Sequence, residues 1–562
     1  MAASTGTCWA PEGIGLRTAR PAEAAVYTPA VNGRDRAVLL LVLGVGVFLT
    51  GLELMITAVA LPSIVTGLAD WTQLRTASWV VNGYLLVYVG TMPLAGRLAD
   101  LWGARRLLLL GLAAFTLGSA LAGASQSLDQ LITARLLQAF GGGIVVPVAT
   151  AAAAHLYGTA TRPRALGVIG GLTFLGMAAG PFAGAAILGS FHPATVLSSQ
   201  GITGGPLVAL LAPAWRWVFY VNVPIGLVAL VLAWAATGDW DTPRQSTRID
   251  LPGGVAFTVG LGGLLIGVTM VGSGLQAAPI VLIGVGLVGL VVATALGLWR
   301  SEPFLDVRLF RDRVFASAAI VSLLTGYAFA TAIIGGAVFV DRVLYGGPAD
   351  QQAALGSLAA ATALGALASG FIVRFLSPRI VTVVGLLLST AALVAMSAWA
   401  PSTSLAAVGL AMATFGLGFG LTVTARSTAA VERAGAAAFG VASATVTVAR
   451  MIGMAIGLAV LTAYGSTTID RLHDQIYNTP SGYLQYIPVA LQGRDLHDPL
   501  VVGALETWAS GEAARIMVVL FLIAAVFVVI AMPAGLALGT GAIGRRRGSP
   551  LDALPQGLPD SN

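Results

Sequence analysis

Long apolar stretches separated by short polar breaks run along the chain from residue 37 to residue 537. A helix needs about 20 apolar residues to cross a membrane, and cutting the chain at its charged and Pro/Gly-rich breaks leaves segments of about that length. The pattern predicts fourteen spans, at residues 37–61, 77–96, 107–125, 129–155, 164–190, 215–237, 251–273, 278–299, 314–340, 350–373, 379–400, 402–425, 437–465 and 513–537. We therefore expect an all-α integral membrane protein.

The predicted spans fall into groups. Residues 37–237 and 314–537 hold six spans each, and residues 251–299 hold a pair inserted between them. Residues 1–36 are polar and rich in Pro and Ala, without a cleavage site after a short apolar core, which predicts a disordered cytoplasmic tail rather than a signal peptide. Residues 538–562 predict a second cytoplasmic tail.

The composition agrees with this pattern and excludes a soluble protein. Hydrophobic residues make up 57% of the 562 residues, charged residues make up 10%, and the mean hydropathy is +0.87. Soluble proteins are about 25% charged. A soluble fold could not bury this much apolar surface, and a disordered chain would be polar.

The basic residues predict the orientation in the membrane. All 30 are Arg, and with a cytoplasmic N-terminus 22 fall on the cytoplasmic side, 6 on the outer side and 2 within spans. This bias predicts a multi-pass protein of the inner (cell) membrane with both termini in the cytoplasm. The only basic cluster is at 545–547, so we expect anionic membrane lipids as partners and no nucleic acid.

Residues for enzyme chemistry are scarce. The single cysteine, Cys8, excludes disulfides and thiolate metal sites, and the four His make no pair at helical spacing. The sequence has no catalytic pairing and no phosphate-binding loop with Lys. We expect no enzyme activity, no metal and no cofactor.

The chain repeats itself over part of its length. The stretch Gly96–Arg105 resembles Gly370–Arg379 at an offset of 274, and Gly111 then meets Gly385. One interpretation is two homologous halves, which are common in transporters. The other is that any short cytoplasmic turn collects Gly and Arg.

Glu53 is the most informative residue. It lies 16 residues after Ala37, or ~24 Å along a helix, with apolar residues on both sides. An intramembrane carboxylate costs several kcal/mol unless it faces a cavity, pairs with a cation or takes up a proton. It is therefore either a proton carrier or half of a fixed ion pair.

Several other polar residues are candidates for the same site. Arg135 and Arg450 lie within spans and are the candidate partners of Glu53; the alternative is that each is a structural cation bonded to backbone carbonyls. Arg426 and Asp341 are further candidates in the second half, and Asp341, at the end of the ninth span, is expected at the membrane interface.

The fifth span contains a row of small residues and a proline. Pro181 removes a backbone donor, so we expect a bend there. The small residues predict close packing against a neighbouring helix, although Gly and Pro are frequent in membrane helices. The row consists of Gly176, Gly180, Pro181 and Gly184.

Together these stretches resemble the major facilitator superfamily, specifically its 14-helix drug:proton antiporter branch. Glu53 stands where the branch has Asp. The matching stretches are Leu52–Pro62, Gly96–Arg106, Arg135 with Gln138, Gly176–Gly184, Trp215–Gly226 and Gly440–Gly457. The sequence departs from the branch at Ala58, Leu101, Ala104, Ala139 and Ala185.

The resemblance implies a fold and a mechanism. Two six-helix bundles, with two inserted helices, would rock around a central cavity, and Glu53 would carry protons or contact substrate while Arg135 tunes it. Asp100 would lie near the N-terminus of the thirteenth helix, whose dipole suits a carboxylate. The gate between the second and third helices would consist of Gly96, Asp100, Gly103, Arg105 and Arg106.

The outer segment 465–512, between the last two spans, is long and contains two stretches with helical apolar spacing. We interpret it as a helical hairpin that continues both spans beyond the membrane, similar to the hairpin of the actinobacterial triacylglyceride exporters. The alternative is a surface loop without a role in transport. Its aromatic residues are Tyr477, Tyr483, Tyr486 and Trp508.

The leading hypothesis is a secondary active exporter of hydrophobic or amphiphilic, drug-like molecules that uses the proton gradient and no cofactor. The alternative is a lipid exporter, similar to the triacylglyceride exporters, with an acceptor protein on the outer side. A scaffold or sensor without transport is the remote alternative, because it would have little reason to keep Glu53 within a span.

Overall fold

A computed structural model of the protein describes residues 33–68, 79–235, 250–270, 277–300, 303–304, 307–435, 438–473, 482–492, 494–495 and 498–539. Within these ranges the chain forms helices joined by short turns, and no strand occurs. The predicted tails, apart from their residues nearest the membrane, lie outside the described residues.

The helices follow the predicted spans. The first six are α1 (Gly33–Leu68), α2 (Trp79–Trp102), α3 (Ala104–Ala124), α4 (Leu128–Leu156), α5 (Arg162–Ser190) and α6 (Ala214–Ala235). The middle pair is α7 (Leu251–Thr269) and α8 (Ala277–Trp299). The last six are α9 (Arg313–Arg342), α10 (Pro348–Ile372), α11 (Pro378–Met396), α12 (Leu405–Ala434), α13 (Phe439–His473) and α14 (Pro499–Ile530).

The all-helical, multi-pass architecture is confirmed. In the described part of the chain, 12 helices are long and apolar enough to cross a membrane. Helices α2 and α7 are not among these 12, so the count of fourteen spans stays a prediction. Both are nevertheless packed among the others: α2 against α4, and α7 against α8.

Polar residues cap several helices where the chain enters them. The Ser127 hydroxyl accepts from the Gln130 amide at the start of α4, and the Asp312 carboxylate accepts from two amides at the start of α9. Such caps satisfy amides that have no partner within the helix. Between α2 and α3, Gly103 has φ 91°, a left-handed conformation that a glycine adopts without strain.

The first six and last six helices pack in the same pattern. In the first set α1 packs on α5, and α4 packs on both α2 and α3; in the second set α9 packs on α13, and α12 packs on both α10 and α11. The two sets meet where α2 contacts α13 and where α5 contacts α10. In the repeat, α2 is equivalent to α10 and α5 to α13, so these two contacts are equivalent to each other.

Equivalent glycines of the repeat lie at equivalent helix contacts. A Cβ atom on Gly96 would lie 2.5 Å from the carbonyl oxygen of Gly440, at the contact of α2 with α13. A Cβ atom on Gly370 would lie 2.6 Å from the carbonyl oxygen of Pro163, at the contact of α10 with α5. This correspondence favours two homologous halves over a chance similarity of two turns, whereas the residue boundaries of the halves stay predictions.

The inserted pair is closed by one acidic residue. Asp250 caps the start of α7 and pairs at 2.7 Å with Arg300, which follows α8. Its other carboxylate oxygen accepts from the Phe304 amide at 3.2 Å. Helix α7 also touches α2 and α13, so the pair lies beside the α2–α13 contact between the sets.

Candidate functional site

The Glu53 carboxylate is fully buried and receives hydrogen bonds from three helices. Oε1 pairs with Nη1 of Arg135 on α4 and accepts from the Thr57 hydroxyl at 2.6 Å on α1 itself. Oε2 accepts from Nδ2 of Asn222 on α6 at 2.6 Å. Of the two candidate arginines, Arg135 is therefore the partner in this conformation.

Arg135 is fixed by further contacts, because a buried charge is stable only when its hydrogen-bonding groups are satisfied. Its Nε donates to the Val80 carbonyl at 3.2 Å and its Nη1 donates to Oε1 of Gln138 at 2.7 Å. Gln138 in turn donates to the Ser119 hydroxyl at 2.8 Å. The guanidinium carbon lies 4.1 Å from the centre of the Tyr84 ring, a favourable cation–π distance.

The small residues of α5 place α1 at this site. A Cβ atom on Gly176 would lie 2.1 Å from the Phe48 carbonyl oxygen, and one on Gly180 would lie 2.7 Å from the Met55 Cβ. These approaches bracket Glu53 along α1. The neighbouring helix that the row of small residues predicts is thus α1, and Gly184 extends the same contact. Helix α5 continues through Pro181 to Ser190.

Asn222 is a site residue that the sequence analysis quoted only within a family stretch. It is fully buried at the start of the second piece of α6, which is interrupted at Val221. Its Oδ1 finds no hydrogen-bond partner in the described part of the chain. The signal in the sequence was an amide within an apolar span, but its partner Glu53 is 169 positions away.

Asp100 lies where the resemblance implies. Its Oδ1 and Oδ2 accept from the amides of Gly440 and Val441, at 3.1 and 3.2 Å, at the start of α13. Gly96 lies on the same side of α2, against Gly440. Amides at a helix N-terminus carry a partial positive charge that attracts carboxylates, so Asp100 bonds α2 to α13.

The basic residues of the predicted gate have other surroundings. Arg105 donates to the carbonyl of Trp234, near the end of α6, at 3.0 Å, and Arg106 is exposed. Gly103 forms the turn between α2 and α3. Gly96 and Asp100 are therefore residues of the predicted gate that contact the second set of helices.

Arg426 corrects one expectation. The predicted span 402–425 ends just before Arg426 and would place it in a cytoplasmic loop, but α12 extends to Ala434 and buries the Arg426 side chain. The guanidinium donates to the hydroxyls of Thr325 and Thr422, at 2.6 and 3.0 Å. It lies near Arg450, on α13, which is also buried.

Asp341 does not join these arginines. It lies half-exposed at the end of α9, pairs with Arg342 at 3.0 Å and accepts from the Gln351 side chain at 3.1 Å. Among the described residues, neither Arg426 nor Arg450 has a carboxylate within ion-pair distance. The two buried arginines of the second half thus differ from Arg135.

A small cavity lies between the two sets of helices, with walls from α4, α5, α12 and α13. Its volume is about 50 Å³, which suffices for a few water-sized groups and not for the chains of a lipid. Arg450 and several hydroxyl groups line it. The two sets of helices would have to separate to admit a large substrate here.

The predicted outer hairpin is helical on both sides. Helix α13 has 35 residues and α14 has 32, whereas a helix needs about 20 residues to cross a membrane. Between them, Tyr483 donates to the Arg494 carbonyl at 2.9 Å, and the Tyr486 ring lies 4.2 Å from that of Trp508. Tyr477 lies outside the described residues.

Part of the hairpin is packed on itself. Ile487, Val501 and Leu505 are buried together in a small cluster of their own, whereas Leu500 is 56% exposed. The Leu500 amide and the Arg494 side chain, both hydrogen-bonded to the Asp498 carboxyl, hold the pKa of that group below its ordinary value. Its carboxylate therefore caps α14 in neutral solution.

The chain is similar to proteins of known class. Residues 43–458 match the family model of the Major Facilitator Superfamily. A triacylglyceride transporter of Mycolicibacterium hassiacum is 33% identical over 416 residues, which cover 70% of this chain and 72% of the relative. A triacylglyceride transporter of Mycobacteroides abscessus is 30% identical, over 77% of this chain and 83% of the relative.

Solved structures give the same fold. The human organic anion transporter MFSD10 superposes with a TM-score of 0.58 at 15% identity, over 88% of this chain and 99% of that one. A bacterial homologue of the human lysosomal transporter Spinster, in an inward-facing, unoccupied conformation, superposes with a TM-score of 0.55 at 18% identity, over 91% and 100%. At these identities the likeness is one of fold alone.

Proposed function

Because the chain belongs to the major facilitator superfamily and is a membrane transporter rather than an enzyme, we propose that it exports lipids of the triacylglyceride class by proton antiport. Drug-like compounds are the first expectation from the motifs alone. The observation that favours the lipid alternative is the similarity, over 70% of the chain or more, to relatives named triacylglyceride transporters.

The way the two sets of helices meet supports alternating access. The α2–α13 contact holds one end of the central region closed through the hydrogen bonds of Asp100 and the close approach of Gly96 to Gly440. These bonds have to break when the two sets separate there. A few hydrogen bonds and a glycine contact suit a closure that is repeatedly made and broken, since their net energy is small.

Proton coupling is assigned to Glu53. Its carboxylate holds donors from α1, α4 and α6 together, so a proton taken up on Oε1 or Oε2 cancels the charge that attracts Arg135. The three helices then lose their strongest common contact. A proton delivered here thus favours a different arrangement of α1, α4 and α6.

The hairpin gives a lipid a route from the cavity. Each exposed CH₂ group costs about 0.8 kcal/mol in water, so a molecule with several acyl chains cannot leave through solvent. Leu500 and Val489 are exposed on this segment and would contact the chains of a departing lipid. An acceptor protein on the outer side would receive the lipid there.

A comparison of two substrates in vesicles tests the lipid proposal. The full chain is reconstituted in liposomes with an imposed proton gradient, and movement of a fluorescent triacylglycerol and of a cationic dye is followed, with protein-free liposomes as the control. Export of the triacylglycerol supports the proposal. Export of the dye alone would restore the drug-like alternative, and movement of neither would favour a protein without transport.

A further inference from the structure

Two buried arginines of the second set of helices carry charges that no carboxylate of the described residues balances. Arg450 is 9% exposed and Arg426 is 1% exposed, and their guanidinium groups act on each other as like charges. In the part of the chain that the structure describes, no carboxylate lies within 4.0 Å of either. Arg135, at a similarly buried position, is paired with Glu53.

Among the residues that the structure describes, no carboxylate near Arg450 supplies the missing charge. The Phe174 ring of α5 lies 5.4 Å from the guanidinium carbon. The Tyr88 phenol of α2 also faces it, and Arg426 of α12 is the remaining charged neighbour. A buried, unbalanced cation is costly, so this arrangement is expected to be kept only if an anion joins it for part of the transport cycle.

Two residues with unused hydrogen-bonding groups line the same cavity. Arg450 and Ser443, about two helical turns apart on α13, both line the cavity between the two sets of helices. The Arg450 Nε and the Ser443 Oγ find no hydrogen-bond partner among the described residues. A guanidinium only donates hydrogen bonds, and a hydroxyl with a free proton also donates.

Four of the five other hydroxyls that line the cavity have already used their protons, and Ser427 is the fifth. Thr150, Thr173, Thr424 and Thr447 each donate to a backbone carbonyl. The group that completes this cavity must therefore accept hydrogen bonds from Arg450 and Ser443 and carry negative charge. A phosphate or carboxylate meets both requirements, and arginine binds such planar or tetrahedral oxyanions particularly well.

We propose that Arg450 and Ser443, with the positive potential of Arg426 behind them, bind the oxyanion head group of an amphiphilic lipid between the two sets of helices. A triacylglyceride has no such group, so the inference adds an anionic lipid to the proposed function and rests on that function only for the lipid class. The cavity of about 50 Å³ fits the head group, whereas the acyl chains require the two sets of helices to part.

Binding of matched short-chain lipids tests the site. The full chain in a non-ionic detergent is titrated with dihexanoyl phosphatidic acid, with neutral dihexanoylglycerol and with inorganic phosphate, and the midpoint of thermal unfolding is followed. We expect phosphatidic acid to raise the midpoint and dihexanoylglycerol to leave it unchanged. Equal shifts with both lipids, or none with either anion, would overturn the proposal.

Inorganic phosphate separates the two sources of the anion. If inorganic phosphate, added without lipid, also raises the midpoint and displaces phosphatidic acid, the site recognises the oxyanion from either source. If only phosphatidic acid acts, the head group is bound as part of a lipid. Both outcomes support an oxyanion site, provided that the effect depends on Arg450.

Variants establish that dependence. Arg450→Gln should weaken phosphatidic acid binding at least tenfold and Arg450→Lys less, whereas Arg374→Gln, in the exposed turn after α10, should bind normally. Ser443→Ala, a smaller change, should weaken binding several-fold and serves if Arg450→Gln fails to fold. Unchanged affinity in both Arg450→Gln and Ser443→Ala would exclude the site.

Triacylglycerol transfer by the same proteins, reconstituted in liposomes, separates this inference from the proposed function. Phosphatidic acid binding without triacylglycerol transfer would leave the oxyanion site standing and reject the proposed substrate. Triacylglycerol transfer without Arg450-dependent binding of an anion would do the opposite.

Discussion

At the scale of single residues, the buried ion pair of Glu53 and Arg135 is the contact whose loss should most affect the stability of the first set of helices. Removing one partner of a buried ion pair leaves an uncompensated charge and typically costs about 3–5 kcal/mol. Removing both charges costs much less, because no unpaired charge remains. Breaking the pair is therefore costly, and we expect a proton to have its largest effect there.

A double-mutant cycle on this pair has a clear expected outcome. Arg135→Gln alone should lower the free energy of unfolding by about 3–5 kcal/mol, and Glu53→Gln alone should lower it similarly, whereas the double variant should be more stable than the sum predicts. Unfolding in detergent, by heat or denaturant, measures all three. Strict additivity would mean that the two side chains are not coupled.

Asn222 makes a separate prediction at this scale. Asn222→Ala removes the donor to Oε2 of Glu53 and leaves a buried carboxylate oxygen without a partner, at a cost of about 1–3 kcal/mol. The loss should shrink in a Glu53→Gln background, where the acceptor is neutral. Equal losses in both backgrounds, measured by the same unfolding assay, would show that Asn222 acts through packing alone.

At the scale of helices, the sequence predicted positions better than contacts. The span predicted at 129–155 is α4, Leu128–Leu156, because charged residues and a serine cap mark its ends. The helix of the last span, predicted from residue 513, begins at Pro499, since its first turns, about four of them, are amphipathic and lie outside the apolar run. Pairing of Glu53 with Asn222 depends on tertiary packing, which apolar periodicity does not specify.

The contact of α2 with α13 should control which end of the transporter is open. Asp100→Asn removes a charge that two amides of α13 bind, a loss of about 0.3–2 kcal/mol. That shifts a two-state population without unfolding the protein. The test uses Ala99→Cys, at a buried position, in a Cys8→Ala background. Its cysteine should react faster with a membrane-impermeant maleimide when Asp100→Asn is present than when Asp100 is kept.

Two outcomes separate a gate from a binding residue at Asp100. Faster labelling with unchanged substrate affinity supports the gate. Unchanged labelling with a collapse of affinity would show that Asp100 binds substrate instead.

A steric version of this test uses the glycines. Gly96→Leu should force α2 away from α13, because even a Cβ atom there would lie 2.5 Å from the Gly440 carbonyl oxygen. Gly158→Leu, where nothing lies within 4 Å, is the matched control. Increased labelling at residue 99 is expected in the first variant only, and equal labelling in both would remove the contact from the gate.

At the scale of the whole molecule, the outer hairpin should separate lipid export from dye export. Replacing residues 470–508 by a short Gly/Ser linker removes the exposed apolar side chains of this segment, including Leu500 and Val489. A water-soluble dye needs no such surface, whereas a lipid with several acyl chains does. Triacylglycerol export should fail while dye movement, if present in the parent protein, persists; equal loss of both would make the hairpin purely structural.

The central claim is that lipid export is coupled to protons at Glu53. Its most direct test records fluorescent triacylglycerol movement and the internal pH of the same proteoliposomes, with the wild-type chain and with Glu53→Gln. In the wild type, we predict that export of triacylglycerol is accompanied by proton movement in the opposite direction. Glu53→Gln should abolish both this proton movement and export against the lipid gradient. Uphill triacylglycerol export at the wild-type rate in Glu53→Gln would contradict the account and leave Glu53 as half of a fixed ion pair.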